Sequence, residues 1–329
     1  MLTASDLVHI EFTKQMTQAG IAYAIHTLIT RRDFKASRNY DRLRSDIVDI
    51  AVELAFRRHL SSQGIPHDSH VDRPFTRPEL QSLFIGGRKC EIINFFISKR
   101  DIIYDINRDN DQLLQAPVKI PAALLEMENF TDNDLLIFAF TTGLVTATQD
   151  ELDRAQSASQ PTYFIHLPPR IWSHPSRWRS LGQMVITNTG NVPLSLEVTG
   201  SDKSKVILKE QIHLAPLRKV ASQAEFYSLN LLSITQEPGA RITVYSPQIK
   251  KIYHIDGPEW VNIWVYGMEI ILAGFITFGE IKRSARPLKS SAQTIRLANT
   301  TSTEVALPLI RLHPLADLFH SALNWTAND

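Results

Sequence analysis

The feature of this sequence that most constrains its fold is a long apolar run in the middle of the chain, "NDLLIFAFTTGLVTAT" (residues 133–148). Its Leu, Ile, Phe and Val side chains follow one another without the polar alternation that marks a strand with one solvent-exposed face. Such a run predicts a strand that is buried on both faces. A strand of this kind requires layers of secondary structure on both sides of its sheet.

The segments around this strand predict the covering layers. "SDLVHIEFTKQMTQAGIAYAIHTL" and "DRLRSDIVDIAVELAFRRHLSSQG" predict two helices, with Ser5 as the N-cap of the first and Gly64 at the C′ position of the second. A hairpin that turns at Gly86 and Gly87 precedes the buried strand. A short helix, "QDELDRAQSAS", and a strand, "PTYFIHL", follow it. This order of elements predicts an α/β (α+β) fold for residues 1–170, with a helical N-terminus.

The second half of the sequence changes to short alternating segments separated by Asn, Gly, Pro and Asp. This spacing is typical of a small antiparallel β-domain, which we place at residues 181–255. Residues 256–329 contain a strongly apolar run and a terminal helix, "PLADLFHSALNW", and are predicted to return to the core of the first domain. Asn262 and Glu269 interrupt the apolar run at 261–278, which favours a buried core segment over a membrane span.

The composition limits the classes of function. The chain of 329 residues has 35 basic and 34 acidic residues, so it has no global field that attracts nucleic acid, and any polyanion binding must come from local patches. The single cysteine, Cys90, cannot form an internal disulfide or build a structural zinc site unaided, which fits a reducing compartment. The N-terminus lacks the charged and apolar regions of a signal peptide. We therefore expect a cytoplasmic protein with no membrane partner.

The hairpin segment, "LQSLFIGGRKCEIINFF" (residues 80–96), carries the motif with the most chemical content. Its second strand holds one carboxylate, Glu91, and the helix before it holds Glu53. Together with the buried strand, helix and strand that follow, residues 45–167 resemble the PD-(D/E)XK, or restriction-endonuclease-like, nuclease family. That resemblance implies a site in which two carboxylates hold a magnesium ion and a lysine positions and activates the attacking water.

The match to the family's motif is incomplete. Glu91 occupies the acidic position of the D/E-X-K triplet and Glu53 occupies the helix position, but Ser82 stands where the family has Asp and Ile93 stands where it has Lys. Strand alternation places Glu91, Ile93 and Phe95 on one face, which is therefore apolar apart from one carboxylate. A hard dication needs more than one anionic ligand. Glu91 is at most a lone metal ligand, so we expect no cofactor, and magnesium only if the site is active. We expect the side chains of Ser82, Glu91 and Ile93 to converge at one edge of the sheet, with Glu53 facing them from its helix.

Two other interpretations of Glu91 and Glu53 remain open. In one, nearby side chains replace the missing carboxylate and amine, which gives an active magnesium-dependent DNA endonuclease with migrated ligands. The residues that offer these groups are Asp72, Glu79, Lys89 and Lys99. In the other, both glutamates form only surface ion pairs: Glu91 pairs with Arg88 or Lys89 at a sheet margin, and Glu53 pairs with Arg57 one helical turn later.

Basic residues beside aromatic ones predict a nucleic-acid surface. "PPRIWSHPSRWRS" interleaves arginines with Trp172 and Trp178, and "KRSARPLK" adds a second basic run. Arginine beside an aromatic ring holds phosphates and stacks on bases, whereas the alternative is that both segments are solvated loops. The candidate nucleic-acid-binding residues are Arg170, Arg177, Arg179, Lys282, Arg283 and Arg286.

These features and the resemblance predict a nuclease-fold subunit that is catalytically degenerate, in other words a pseudoenzyme, and that binds nucleic acid or partner protein subunits. The resemblance implies a bacterial DNA-processing or phage-defence assembly, because this fold is widespread in restriction systems. Besides the active endonuclease, a structural interaction module that docks through its β-domain is an alternative. The sequence does not distinguish DNA from RNA or identify the partners.

Overall fold

The computed structural model describes residues 2–30, 40–68, 83–115, 117–122, 130–175, 178–284, 286–287, 295–296 and 304–325. These residues form a mixed α+β fold that divides into two compact units. Those within 1–27, 41–145 and 265–329 form the first unit, and those within 28–40 and 146–264 form the second.

The helices and strands are numbered in chain order. The helices are α1 (Lys14–Thr30), α2 (Tyr40–Ser62), α3 (Arg100–Arg108), α4 (Asp111–Gln115), α5 (Gln149–Ser157), α6 (Arg170–Ser173), α7 (Phe278–Ser284) and α8 (Leu315–Trp325). The strands are β1 (Val8–Ile10), β2 (Leu83–Ile85), β3 (Arg88–Ile97), β4 (Pro117–Pro121), β5 (Leu135–Val145), β6 (Phe164–His166), β7 (Val185–Asn188), β8 (Leu194–Ser201), β9 (Ile207–Leu214), β10 (Lys219–Ala221), β11 (Ser228–Ile234), β12 (Ile242–Ser246), β13 (Lys251–Ile255), β14 (Val261–Asn262), β15 (Val265–Thr277), β16 (Arg286–Pro287), β17 (Ile295–Arg296) and β18 (Glu304–Pro308).

The central sheet of the first unit has the strand order β1-β15-β5-β3-β2. β3 and β5 are parallel, and the other neighbours are antiparallel. The apolar run predicted to be buried on both faces is β5, and the prediction is confirmed. Phe138 and Phe140 point into one core cluster, whereas Ile137 and Ala139 point into the other.

Helix α2 covers one face of this sheet. Its apolar arc, which includes Val48, Ala51 and Val52, packs in one core cluster with Cys90 of β3 and Ile137 of β5. Because consecutive strand residues point to opposite faces, this contact fixes which β3 side chains lie under the helix. The residues of β3 at even positions face α2.

The opposite face of the sheet is covered by several short elements. They include α3, α4, α7 and a second sheet of order β16-β18-β4-β17. The buried residues that these elements contribute to the core include Ile106, Leu113, Ile120, Ile281 and Leu307. Both faces of the central sheet are therefore apolar and covered, as the composition of β5 requires.

The second unit is built from two antiparallel sheets, β10-β7-β12-β13 and β14-β6-β11-β8-β9. Side chains from both sheets, such as Ile186 and Val244 from one and Leu196 and Val198 from the other, belong to a single buried cluster. The unit is therefore a β-sandwich.

The division between the units differs from the boundary predicted between residues 170 and 181. The main segment of the second unit begins at Thr146, because β6 pairs with β11 and β14 rather than with the central sheet. The chain rejoins the first unit at Val265, where β15 enters the central sheet between β1 and β5.

The N-terminus also differs from the prediction. The helix expected to start after Ser5 begins only at Lys14, and residues Val8–Ile10 instead form an edge strand that pairs with Ile270–Leu272. The apolar run at 261–278 is largely β15, a buried strand. No helix within the described residues is long and apolar enough to cross a membrane.

Candidate functional site

The strand β3 places Glu91 and Ile93 on the same face of the sheet, in agreement with strand alternation. Ile93 is 5% exposed and belongs to the apolar cluster that contains Phe95 and Ile97. Glu91 lies two residues earlier, where the face becomes exposed. The position that the resemblance assigns to a catalytic lysine is therefore filled by an apolar side chain inside the core.

Glu53 lies on the other side of the sheet, so the expectation that it faces Glu91 and Ile93 from its helix is wrong. The apolar arc of α2 packs on the face that carries Cys90, and this packing places Glu53 on the flank of that helix. There its carboxylate accepts hydrogen bonds from Arg57 Nε at 2.9 Å and from Nη2 at 2.7 Å. This is the i,i+4 ion pair that was one of the alternatives for Glu53.

The surroundings of Glu91 favour its protonated form. Desolvation raises the pKa of its carboxyl, the charge of Lys89 opposes this change, and the charge of Glu53 adds to it. The side chain still reaches solvent, so the desolvation comes from protein packed around the strand rather than from enclosure of the carboxylate. Glu91 and Glu53 are thus close enough to repel each other, although they belong to different faces.

A buried polar chain connects the sheet to α2 on the face opposite Glu91. The Thr141 hydroxyl donates to Asn94 Oδ1 at 2.8 Å, and Asn94 Nδ2 donates to Asp49 Oδ1 at 2.8 Å. Thr141 is 0% exposed and Asn94 is 5% exposed. These hydrogen bonds supply the partners that a buried amide and hydroxyl need.

Asp49, at the end of this chain, has the most shifted carboxyl of the region. Desolvation raises its pKa to about 7, against the hydrogen bond from Asn94, and the charges of Asp46 and Glu91 raise it further. Asp49 as a whole residue is exposed, so its carboxyl lies at a crowded surface position rather than in a closed interior. A carboxyl of this kind gains and loses a proton near neutral pH.

This set of side chains does not fit a Mg²⁺ ion. The carboxylates are divided between two faces of β3, Glu53 is held by Arg57, and Asp49 is held by Asn94. Among the residues that the structure describes, no group of three or more His, Cys, Asp or Glu side chains is arranged to hold a metal ion. A Mg²⁺ ion requires convergent oxygen ligands.

Cys90 does not add a nucleophile to the site. Its thiol is buried under α2, and burial together with the charge of Glu91 raises its pKa far above the ordinary value. A thiol that stays protonated is unreactive, so Cys90 acts as a small core residue.

The candidate nucleic-acid-binding residues fall in different units. Arg170, on α6, and Arg179 are exposed residues of the second unit, whereas Lys282 and Arg283 are exposed on α7 of the first unit. The Lys282 ammonium is 3.9 Å from an Asp132 carboxylate oxygen and 4.5 Å from the centroid of the Phe278 ring. Lys282 therefore has an exposed acidic side chain and an aromatic ring as neighbours.

Several predicted positions lie outside the described residues. They are Ser82, Arg177, Asp72, Glu79 and the side chain of Arg286. The expected convergence of Ser82 with Glu91 stays a prediction.

Sequence reasoning missed the Thr141–Asn94–Asp49 chain, although a signal for it was present. Asn94 is a lone amide within the apolar stretch "IINFF", and a buried amide requires a polar partner. Asp49 lies one turn before Glu53 on the polar flank of the helix that covers this face. The sequence patterns of β3 and α2 together therefore indicate that Asn94 and Asp49 form a pair.

Comparisons with protein-family models, with curated protein sequences and with solved structures find no match. The fold and the site define a mixed α+β protein with a β-sandwich unit, in which acidic side chains flank a strand that runs parallel to its neighbour.

Proposed function

We propose that this chain is a catalytically degenerate, nuclease-fold subunit that binds nucleic acid. The observation that carries the proposal is the burial of Ile93, at 5% exposure, in the position where the resembling family has its lysine. Without an amine there, a water molecule beside a phosphate lacks the group that the family uses to activate it. The order of α2, the β2–β3 hairpin and the parallel β3–β5 pair supports the resemblance in the core.

The arrangement of carboxylates supports the degenerate state. Arg57 binds Glu53, and Asn94 binds Asp49 on the face opposite Glu91. On its own face Glu91 lies between Lys89 and the buried Ile93, and desolvation raises its pKa. Each of these features weakens the capture of a divalent cation.

The second unit supports the nucleic-acid part of the proposal. Arg170 and Arg179 are exposed there, and Arg179 follows the exposed Trp178, whereas Trp172, beside Arg170 in sequence, is 2% exposed and packs in the core of the unit. Cations beside aromatic rings bind nucleic acid by holding phosphates and stacking on bases. We also propose that the protein is part of a DNA-processing or phage-defence assembly. This part of the proposal rests on the resemblance alone.

One observation favours an active endonuclease as the second candidate. Lys89 lies two residues before Glu91 on the same strand face, and its charge opposes the increase in the pKa of Glu91. Its ammonium lies 4.1 Å from the centroid of the Phe130 ring. If the Lys89 amine moved from the Phe130 ring towards Glu91, it would supply the amine that is missing at position 93.

The experiment that tests the proposal measures binding and cleavage in the same reactions. Purified protein is incubated with labelled plasmid DNA, duplex oligonucleotides and single strands, with and without Mg²⁺ or Mn²⁺. We expect retarded complexes that contain uncut nucleic acid under every condition. Metal-dependent cleavage that Glu91→Ala or Lys89→Ala abolishes would instead establish the active endonuclease. Failure to bind any nucleic acid at about 100 µM protein, the weak limit of non-specific binding, would favour the interaction module.

A further inference from the structure

The second unit carries an exposed tryptophan beside a half-buried tyrosine and three exposed cationic residues, which together we name the Trp178 surface: Trp178, Arg179, Lys203, Lys205 and Tyr227. The indole of Trp178 is 39% exposed. Its ring centroid lies 6.0 Å from that of Tyr227, with the two planes 32° apart. A large aromatic side chain left this accessible beside another ring provides a flat surface for a planar ligand.

A well-ordered turn between β8 and β9 holds the lysines beside the indole. Trp178 Nε1 donates to the Lys203 carbonyl at 2.9 Å. Within the turn, Val206 N donates to Asp202 Oδ1 at 2.8 Å and Lys205 N donates to the Asp202 carbonyl at 3.1 Å. The indole and the turn are thus fixed to each other through main-chain groups, and the lysine side chains remain exposed.

The charge around the ring is positive. The Lys205 ammonium is 5.5 Å from the indole centroid, within range of a cation–π interaction. Arg179 follows Trp178 in the chain, and both Arg179 and Lys203 are exposed. Two acidic residues also lie nearby: Asp202 accepts a backbone hydrogen bond within the turn, and Glu225 accepts one from the Ser180 hydroxyl, so the three cationic residues outnumber them by one.

We infer that the Trp178 surface binds single-stranded nucleic acid, with a base stacked on Trp178 and the adjacent phosphates held by Arg179, Lys203 and Lys205. The inference rests on the nucleic-acid part of the proposed function and names the form of nucleic acid and the residues. A duplex keeps its bases stacked on each other, whereas a single strand offers each base to an aromatic side chain. An acidic peptide supplies the negative charge but not the planar group, so it uses only part of this surface.

The inference is tested by fluorescence anisotropy with a labelled single-stranded oligonucleotide of about 12 nucleotides and its duplex. We expect the single strand to bind more tightly than the duplex. Trp178→Ala should weaken binding of the single strand by about 5- to 100-fold, and Trp178→Phe should restore most of the affinity because a ring remains. Lys203→Ala with Lys205→Ala should lower the slope of log affinity against log salt by about 1.4, which corresponds to two lost phosphate contacts.

A matched control removes two exposed lysines elsewhere in the same unit. Lys219→Ala with Lys251→Ala changes the net charge of the unit by the same amount, on strands β10 and β13, and should leave affinity and salt slope near those of the wild type. The thermal midpoint of each variant shows whether the unit is still folded. Trp178→Phe also separates loss of stacking from loss of the hydrogen bond to Lys203.

The outcomes separate this inference from the proposed function. A wild-type protein that binds no nucleic acid overturns both. A wild-type protein that binds, while Trp178→Ala and the Lys203/Lys205 variant bind equally well, overturns the inference only. Displacement of the oligonucleotide by poly-glutamate as effectively as by unlabelled oligonucleotide also overturns it, because the surface then recognises acidic chains through charge alone.

Discussion

Ile93 determines what the face beside Glu91 can do. It lies in the same core cluster as Phe95 and Phe138, on the strand face where the resembling nucleases present a lysine. A side chain at this position contributes to stability through its apolar surface. The residue therefore links the packing of the first unit to the proposed loss of catalysis.

Replacing Ile93 by lysine should damage the fold rather than restore a catalytic group. Burial of an unpaired ammonium carries a large cost, so we expect Ile93→Lys to reduce the free energy of unfolding by about 3 kcal/mol or more. Ile93→Val, the control, should cost about 1 kcal/mol. Urea denaturation measures both. Wild-type stability in Ile93→Lys would mean that this side chain has a route to solvent and that the face is open to an amine.

The raised pKa of the Asp49 carboxyl predicts that the stability of the protein depends on pH. Its pKa is raised to about 7 in the folded protein, so between about pH 4 and pH 7 the folded state keeps a proton that the unfolded chain has released. The ionisation of Asp49 therefore lowers the free energy of unfolding as the pH rises from about 4 to about 7, and its contribution is constant above that. Asp49→Asn keeps an oxygen acceptor for Asn94 but removes the titration. Above about pH 7, the free energy of unfolding of Asp49→Asn should be higher than that of the wild type by about 1 kcal/mol, a value reduced to allow for the exposure of Asp49. Near pH 4 the two proteins should be equally stable.

Urea denaturation across this pH range measures the effect. Asp101→Asn, an exposed substitution on α3, is the control and should leave the shape of the stability profile unchanged. Parallel profiles for Asp49→Asn and the wild type would show that the carboxyl titrates in its ordinary range, contrary to the prediction.

At the scale of the elements, the β2–β3 turn is the part that was predicted most completely. Gly86 and Gly87 have φ values of +53° and +73°, the left-handed conformation that the Gly-Gly pair predicted. The two positions differ in their surroundings. A Cβ on Gly86 would lie 2.5 Å from Cε3 of Trp325, whereas a Cβ on Gly87 would meet no heavy atom within 4 Å.

This difference gives a matched pair of substitutions. Gly87→Ala should lower the free energy of unfolding by about 1 kcal/mol, because an alanine there adopts an unfavourable left-handed conformation. Gly86→Ala should cost about 1 to 2 kcal/mol more, because Trp325, whose ring carries the Arg88 guanidinium at 3.8 Å from its centroid, must also move. Equal stabilities of the two variants, measured by urea denaturation, would show that Trp325 is not held against the turn.

Local patterns explain which parts were predictable. The turn at Gly86, the end of α2 at Gly64 with φ +67°, and the double burial of β5 each follow from residues adjacent in sequence. The pairing of β1 with β15 does not, because Val8 and Leu272 meet only after most of the chain is in place. The polar chain from Thr141 to Asp49 likewise joins three separate elements. Strand alternation predicted the face of Glu91, but the face covered by α2 depends on tertiary packing.

At the scale of the whole molecule, the main segment of the second unit, residues 146–264, is an insertion in the first, and the described residues within 28–40 also belong to the second unit. The chain leaves the central sheet after Val145 and returns at Val265, and these two residues are paired neighbours in β5 and β15. The ends of an inserted unit are therefore close together, an arrangement that permits the unit to fold on its own. The sequence predicted that this unit is rich in β-strands. It did not predict that the chain re-enters the first unit at Val265, because β15 is as apolar as the strands around it.

The insertion predicts that residues 146–264 form a stable fragment. Expressed alone, the fragment should show the circular dichroism of a β-protein and a single cooperative thermal transition, because its buried cluster draws on both of its own sheets. A fragment without a cooperative transition would show that the sandwich requires the first unit.

The most direct test of the central claim is the salt dependence of single-strand binding, measured in Mg²⁺ with recovery of the oligonucleotide afterwards. The account predicts binding whose log affinity falls with log salt at a slope of about −2, from three phosphate contacts, and an oligonucleotide of unchanged length. Binding with no salt dependence, or an oligonucleotide shortened in the presence of Mg²⁺, would contradict it.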